Sequence, residues 1–194
     1  MIKRRDFVKI VCIGDSLTFG YKLKQSHVWT RLLECKLNID VINKGINGDT
    51  SGGMLSRFYI DVLTLKPSHV IIMGGVNDLI MGVPVSIICS NIMTMVHQAN
   101  AKAITPIIGI PISSDPELAA INWPNIVDFN YVNNRLQELR KTLYIYGNAF
   151  NIKILDFYQV ISDLITQSNK LIYYIDGLHL TSIGNQVLVD SINI

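Results

Sequence analysis

Ser16, Asp176 and His179 are the residues whose types could do covalent chemistry in this chain. A serine hydroxyl attacks a carbonyl only when a base takes its proton. His179 is of the right type to be that base. Asp176 lies three residues earlier, so its carboxylate can hold one imidazole tautomer and stabilise the imidazolium. The attacked carbonyl oxygen becomes an anion and needs hydrogen-bond donors. The backbone N–H groups of Ser16 and Gly48 and the side-chain amide of Asn77 are three candidates, and a glycine at 48 lets the backbone approach a substrate closely. Taken alone, Gly14-Asp15-Ser16 also reads as a plain turn in which Asp15 or Ser16 caps a helix.

These residues are far apart in sequence, so the fold must gather them. The apolar run 8–13 stops at Gly14 and reads as a buried strand ending at its carboxyl edge. Further strands are expected at 39–42, 69–75, 103–110 and 152–155. Helices are expected at 25–37, 54–63, 84–99, 127–146, 158–166 and from 182 onward. Lys66-Pro67 ends the second of these. The stretch 113–124 holds two prolines and reads as a loop over one sheet edge. Strands alternating with helices predict a parallel sheet covered on both faces. Ser16, Gly48, Asn77, Asp176 and His179 all follow predicted strands, and open α/β sheets bind ligands at that edge. Such convergence on one edge is what would bring nucleophile, base and donors together.

Gly14-Asp15-Ser16-Leu17, Asn47-Gly48-Asp49-Thr50, Gly75-Val76-Asn77-Asp78 and Asp176-Gly177-Leu178-His179 resemble, in this order, the four blocks of the SGNH, or GDSL, hydrolase family. The resemblance spans nearly the whole chain. It implies a flavodoxin-like three-layer α/β/α sandwich whose five parallel strands run in the order 2-1-3-4-5. It implies Ser16 as nucleophile, His179 as base, Asp176 as orienter, and Ser16, Gly48 and Asn77 as the oxyanion hole. It further implies hydrolysis of esters or thioesters through an acyl-enzyme, without metal or cofactor. The family commonly has proline after the histidine, where this chain has Leu180. The Gly-x-Ser-x-Gly elbow of α/β-hydrolases is missing around Ser16, which argues against that fold.

For substrate contacts, Leu79, Ile80 and Met81 follow the oxyanion asparagine and are candidates to line an acyl pocket, with burial in the core as the equal alternative. Trp123 is a candidate to stack on substrate or to anchor its loop. Asp15 is expected to brace the nucleophile loop beside the substrate, and Asp78 to do the same around Asn77. Asp49 and Thr50 read as caps of the next helix, and Asp156 as a cap after the fifth strand. The short 113–124 loop predicts an open site and small substrates, with Ser16 not deeply buried.

Composition bounds the rest. A chain of 194 residues can bury a core of its own, so one domain over 1–194 is expected. Charged residues make up 16% and the net charge is +2, which argues against a nucleic-acid-binding surface. No apolar stretch reaches the ~18 residues of a membrane span. Arg4-Arg5 superficially resembles an export signal, but Lys9 interrupts the apolar run after it. Cys12, Cys35 and Cys89 have no paired spacing and read as small core residues in a reducing compartment, which suggests the cytoplasm. His27, His69 and His97 lack ligand spacing and read as structural. The expected partner is a small-molecule ester of a short acyl or acetyl group, with lysophospholipid, thioester and acetylated-sugar substrates also open; the oligomeric state is open. Acyl transfer would use the same residues. A phosphate- or nucleotide-binding module is the alternative from another class, and it lacks a Gly-x-Gly-x-x-Gly or Walker pattern.

Overall fold

Alternation along the first strand sets the architecture. In β1 (Lys9–Gly14), Val11 and Ile13 enter one apolar cluster while Ile10 and Cys12 enter another on the opposite face. The same alternation holds in β3 (His69–Met73), with Val70 and Ile72 on one side and Ile71 and Met73 on the other. Both faces of the central strands are therefore dry, as parallel strands covered by helices require. The computed structural model describes residues 8–194. The Lys3-Arg4-Arg5 cluster, with the arginine pair weighed as an export signal, lies outside the described residues.

The sheet adds β2 (Asp40–Gly45), β4 (Thr105–Ile110) and β5 (Lys153–Asp156), in the order β2-β1-β3-β4-β5 with every pair parallel. This is the expected order. Helices α3 (Ser51–Asp61), α5 (Val85–Asn100) and α7 (Phe129–Phe150) bury one face, together with α4 (Val76–Ile80). The other face is covered by α2 (Trp29–Leu37), α8 (Phe157–Ser162) and α10 (Ser182–Ser191). Short helices α1 (Ser16–Phe19) and α9 (Lys170–Tyr173) complete the set with α6 (Pro116–Asn122). Among the described residues, no helix is long and apolar enough to cross a membrane.

Several boundaries differ from those read in the sequence. Helix α6 occupies much of the stretch read as loop. Pro116 sits in its first turn, where a missing N–H costs nothing, and Asp115 caps it by accepting from Leu118 N at 2.8 Å. Strand β2 runs on to Gly45, paired in register with Gly14 of β1, and the Asn43 side chain donates to Thr18 O and Thr30 Oγ1. Residues 25–27 form a separate 3-10 turn ahead of α2. Cys12 and Cys89 are buried as expected, whereas Cys35 is exposed on α2.

Candidate active site

The register pairs Gly14 with Gly45 on one side and with Met73 on the other, so β1, β2 and β3 end together. Ser16 follows β1 directly as the first residue of α1. Asp15 caps that helix, its Oδ1 accepting from Leu17 N at 2.9 Å. Burial pushes the Asp15 carboxyl up to about 7; the Leu17 N–H opposes this, and the nearby Asp49 and Asp78 carboxylates add to it. Its Oδ2 has no hydrogen-bond partner among the described residues.

The turn before α10 carries Asp176 and His179. His179 Nε2 lies 2.9 Å from Ser16 Oγ, and His179 Nδ1 lies 3.0 Å from Asp176 Oδ2. Asp176 also accepts from the backbone N–H groups of His179 at 2.9 Å and Leu178 at 3.1 Å. Burial acts to raise the Asp176 carboxyl, but the His179 ring and these two N–H groups outweigh it and hold it down at about 2. The turn itself depends on Gly177, which adopts φ +85°. A Cβ there would stand 2.3 Å from Ala119 N of α6. Ser16 is half-buried while His179 and Asp176 are buried, so the hydroxyl is the exposed end of the relay.

The candidate oxyanion donors come from the next two loops. Gly48 is exposed at φ +76°, and a Cβ on it would touch nothing, so the backbone angle rather than crowding calls for glycine. The Asn77 amide donates to Asp49 O at 2.9 Å. A primary amide has two N–H donors, which leaves one for a ligand. Asp78 is buried and accepts from Ser51 N at 2.8 Å and Ser51 Oγ at 2.6 Å. It thereby ties the Asn77 helix to the start of α3. Thr50 caps α3 through Gly53 N at 3.1 Å.

Ser16, Gly48, Asn77 and His179 share a cleft of about 220 Å³. Asp15 borders it, and its apolar wall includes Tyr21, Ile80, Ile112, Trp123, Ile126 and Phe129. Of the three apolar residues after Asn77, only Ile80 reaches the cleft. Leu79 is 1% exposed within the core, and Met81 is 66% exposed to solvent. Successive helical positions are turned by about 100°, so three neighbours cannot share one face. Trp123 lines the cleft with its ring centroid 5.9 Å from that of His179, and Tyr21 packs against the same imidazole at 4.3 Å with the rings tilted by 41°. The Trp123 Nε1 is buried without a partner among the described residues.

A model of the GDSL-like lipase/acylhydrolase family matches residues 12–187. The chain belongs to this family. It is 36% identical over 111 residues to an arylesterase from Vibrio mimicus, covering 53% of this chain and 56% of that one. Thus the chain matches about half the length of the curated relatives. Among solved structures, it resembles a protein assigned to the lipolytic G-D-S-L family from Desulfitobacterium hafniense DCB-2, at TM-score 0.80 and 30% identity, over 95% of this chain and 97% of that one. It also resembles a lipase/acylhydrolase from Enterococcus faecalis, at TM-score 0.78 and 28% identity, over 95% and 92% of the two chains.

Leu180 stands where the GDSL family commonly has proline. It is buried, and an isolated antiparallel bridge pairs it with Tyr174. Ile175 N donates to His179 O at 2.8 Å and Thr181 N to Tyr173 O at 2.8 Å. Hydrogen bonds thus fix the histidine loop in place of a ring. Sequence reading missed Tyr21, Ile112, Ser114, Ile126 and Phe129 as cleft residues, and missed Arg57 behind the Gly48 loop. Tyr21 stands five residues after Ser16, and that proximity was the available signal; the others carry none in a single sequence.

Proposed function

We propose that this GDSL-family protein is a serine hydrolase that cleaves esters of small uncharged acids through an acyl-enzyme on Ser16. The observation that carries this reading is the continuous Ser16 Oγ–His179–Asp176 relay, with contacts of 2.9 and 3.0 Å, beside a cleft that also holds Gly48 and Asn77. Ser16 Oγ attacks the ester carbon as its proton passes to His179 Nε2. The imidazolium keeps Nδ1–H directed at Asp176, which remains ionised. Ser16 N, Gly48 N and the free amide hydrogen of Asn77 receive the oxyanion. Collapse expels the alcohol, which takes the proton from Nε2. Water then repeats the sequence on the acyl-enzyme and frees the acid.

The cleft supports a small acyl group. A dry cavity of about 150 Å³ accommodates benzene, and this one measures about 220 Å³. An acyl chain of a few carbons, or one aromatic ring, fits that space. Among the described residues no lysine or arginine lines it, which weighs against a phosphate- or nucleotide-binding role. The arylesterase among the relatives is consistent with an activated or aromatic leaving group.

The test is hydrolysis of p-nitrophenyl esters of rising chain length by wild type and Ser16→Ala. The alanine variant is expected to lose about 10⁴–10⁶ in kcat. Wild-type rates are expected to fall once the acyl chain outgrows the cleft. Equal rates in the two proteins would remove Ser16 as nucleophile.

A further inference from the structure

Arg57 lies outside the cleft, on the second turn of α3, yet its guanidinium reaches the strand end before Ser16 and the residue after Gly48, whose carbonyl oxygen accepts from Asn77. Nε and Nη2 each lie 2.8 Å from Asp49 Oδ2. Nη1 donates to Lys44 O at the end of β2 and to Asp61 Oδ2, both at 2.8 Å. Nη2 also donates to Gly14 O at the end of β1, at 3.0 Å. Four of the five guanidinium N–H groups thereby donate hydrogen bonds, with Nη2 also at ion-pair distance from Asp49, in a side chain only 16% exposed. Charge-assisted contacts made to several acceptors at once by one planar guanidinium are strong, and lysine cannot reproduce them.

Asp49 is the hub. Its carboxylate takes Arg57 on Oδ2 and Thr50 N on Oδ1 at 2.9 Å, while its carbonyl oxygen takes the Asn77 amide. It adjoins Gly48 in the chain, and Gly14 stands two residues before Ser16. One side chain therefore links the strand end before Ser16, the loop of Gly48 and the partner of Asn77. We propose that Arg57 is the positioning residue of the oxyanion hole, setting the relative placement of the Ser16, Gly48 and Asn77 donors without touching substrate. This rests on the ester-hydrolase reading above.

A donor set acts on the transition state only when its geometry is fixed in advance, and a misplacement of about 1 Å costs roughly 10²-fold in rate. A plain stabilising ion pair would instead change the amount of folded protein. The experiment separates the two. Arg57→Lys and Arg57→Ala are compared with wild type, and with Arg135→Ala, which breaks a surface pair with Glu138. Reactive serine is counted by stoichiometric labelling with a fluorophosphonate, and kcat is expressed per labelled site. Arg57→Lys keeps the charge and much of the volume, so it serves if the alanine variant does not fold.

The expected result for Arg57→Lys is a kcat per labelled site lower by roughly 10²-fold with KM unchanged. Inhibition by a boronic acid, which mimics the tetrahedral intermediate, weakens in parallel. Arg135→Ala matches wild type. An unchanged kcat per labelled site, or a loss carried by KM alone, overturns the positioning role even if less protein is labelled. A wild type that labels at Ser16 but hydrolyses no ester overturns the ester-hydrolase reading, and this inference with it.

Discussion

Two aspartates in the same site, both raised by burial, end up shifted in opposite directions by their partners. Asp176 is held down at about 2 because partners outweigh its burial. Its ionised form therefore favours the fold above pH 3.8, and that contribution is lost as pH falls toward 2. Asp15 is pushed up to about 7 from 3.8, because burial and two neighbouring carboxylates outweigh the backbone N–H groups of Leu17 and of Asp15 itself. Folding favours its protonated form, so its contribution is present below pH 3.8 and is lost as pH rises through 7. Asp15→Asn keeps the Oδ1 acceptor and carries no charge. Its Tm relative to wild type is expected to climb between about pH 4 and pH 8; a difference independent of pH would contradict the raised carboxyl. Ser16, Asp176 and His179 were legible as residue types. The partners that separate Asp15 from Asp176 were not, since both are acids at the end of a strand or in a turn and both are buried.

Helix α6 shows how an element can support chemistry it does not perform. Asp115 N donates to Gly177 O at 2.8 Å, and the backbone of Ala119 packs against the Gly177 Cα hydrogen face. Lys170 adds contacts to Asp115 at 3.3 Å and Glu117 at 2.7 Å. The element that carries Trp123 at its end is thus latched to the turn between Asp176 and His179. Gly177→Ala must strain a positive φ and displace α6. We expect kcat on a short ester to fall roughly 10²-fold from misplacement of the base, with a change in Trp123 fluorescence. Unchanged kcat would show that turn and helix move independently. In the sequence, two prolines and polar residues read as loop here, although Asp115-Pro116-Glu117 is also a helix start. The Pro116 ring fits the first turn, and so short a helix depends on tertiary contacts such as those with the Gly177 turn and the packing of Leu118 on the core.

For the whole molecule, the sheet divides two apolar clusters, and the central strands feed both. Ile72 is fully buried between β1 and β4 neighbours on the face covered by α3, α5 and α7. Ile72→Ala is expected to cost roughly 2–5 kcal/mol through lost transfer energy and the cavity left behind. Urea unfolding measures it. Met81→Ala, at an exposed site, is expected to stay within about 0.5 kcal/mol of wild type. A comparable loss at both positions would mean that burial does not govern stability here.

The chain by itself determined the alternation of strands and helices, the parallel sheet this demands, and the four polar blocks at the strand ends. These are local properties: periodicity, capping and turn residues act over a few positions. Only the tertiary structure decided that Ile80 faces the cleft while Leu79 enters the core and Met81 faces water, because a helix must be docked before its faces have names. Only it brought Arg57 against Asp49, Lys44 O and Gly14 O, because a long side chain finds its partners through packing between segments that the sequence does not order in space.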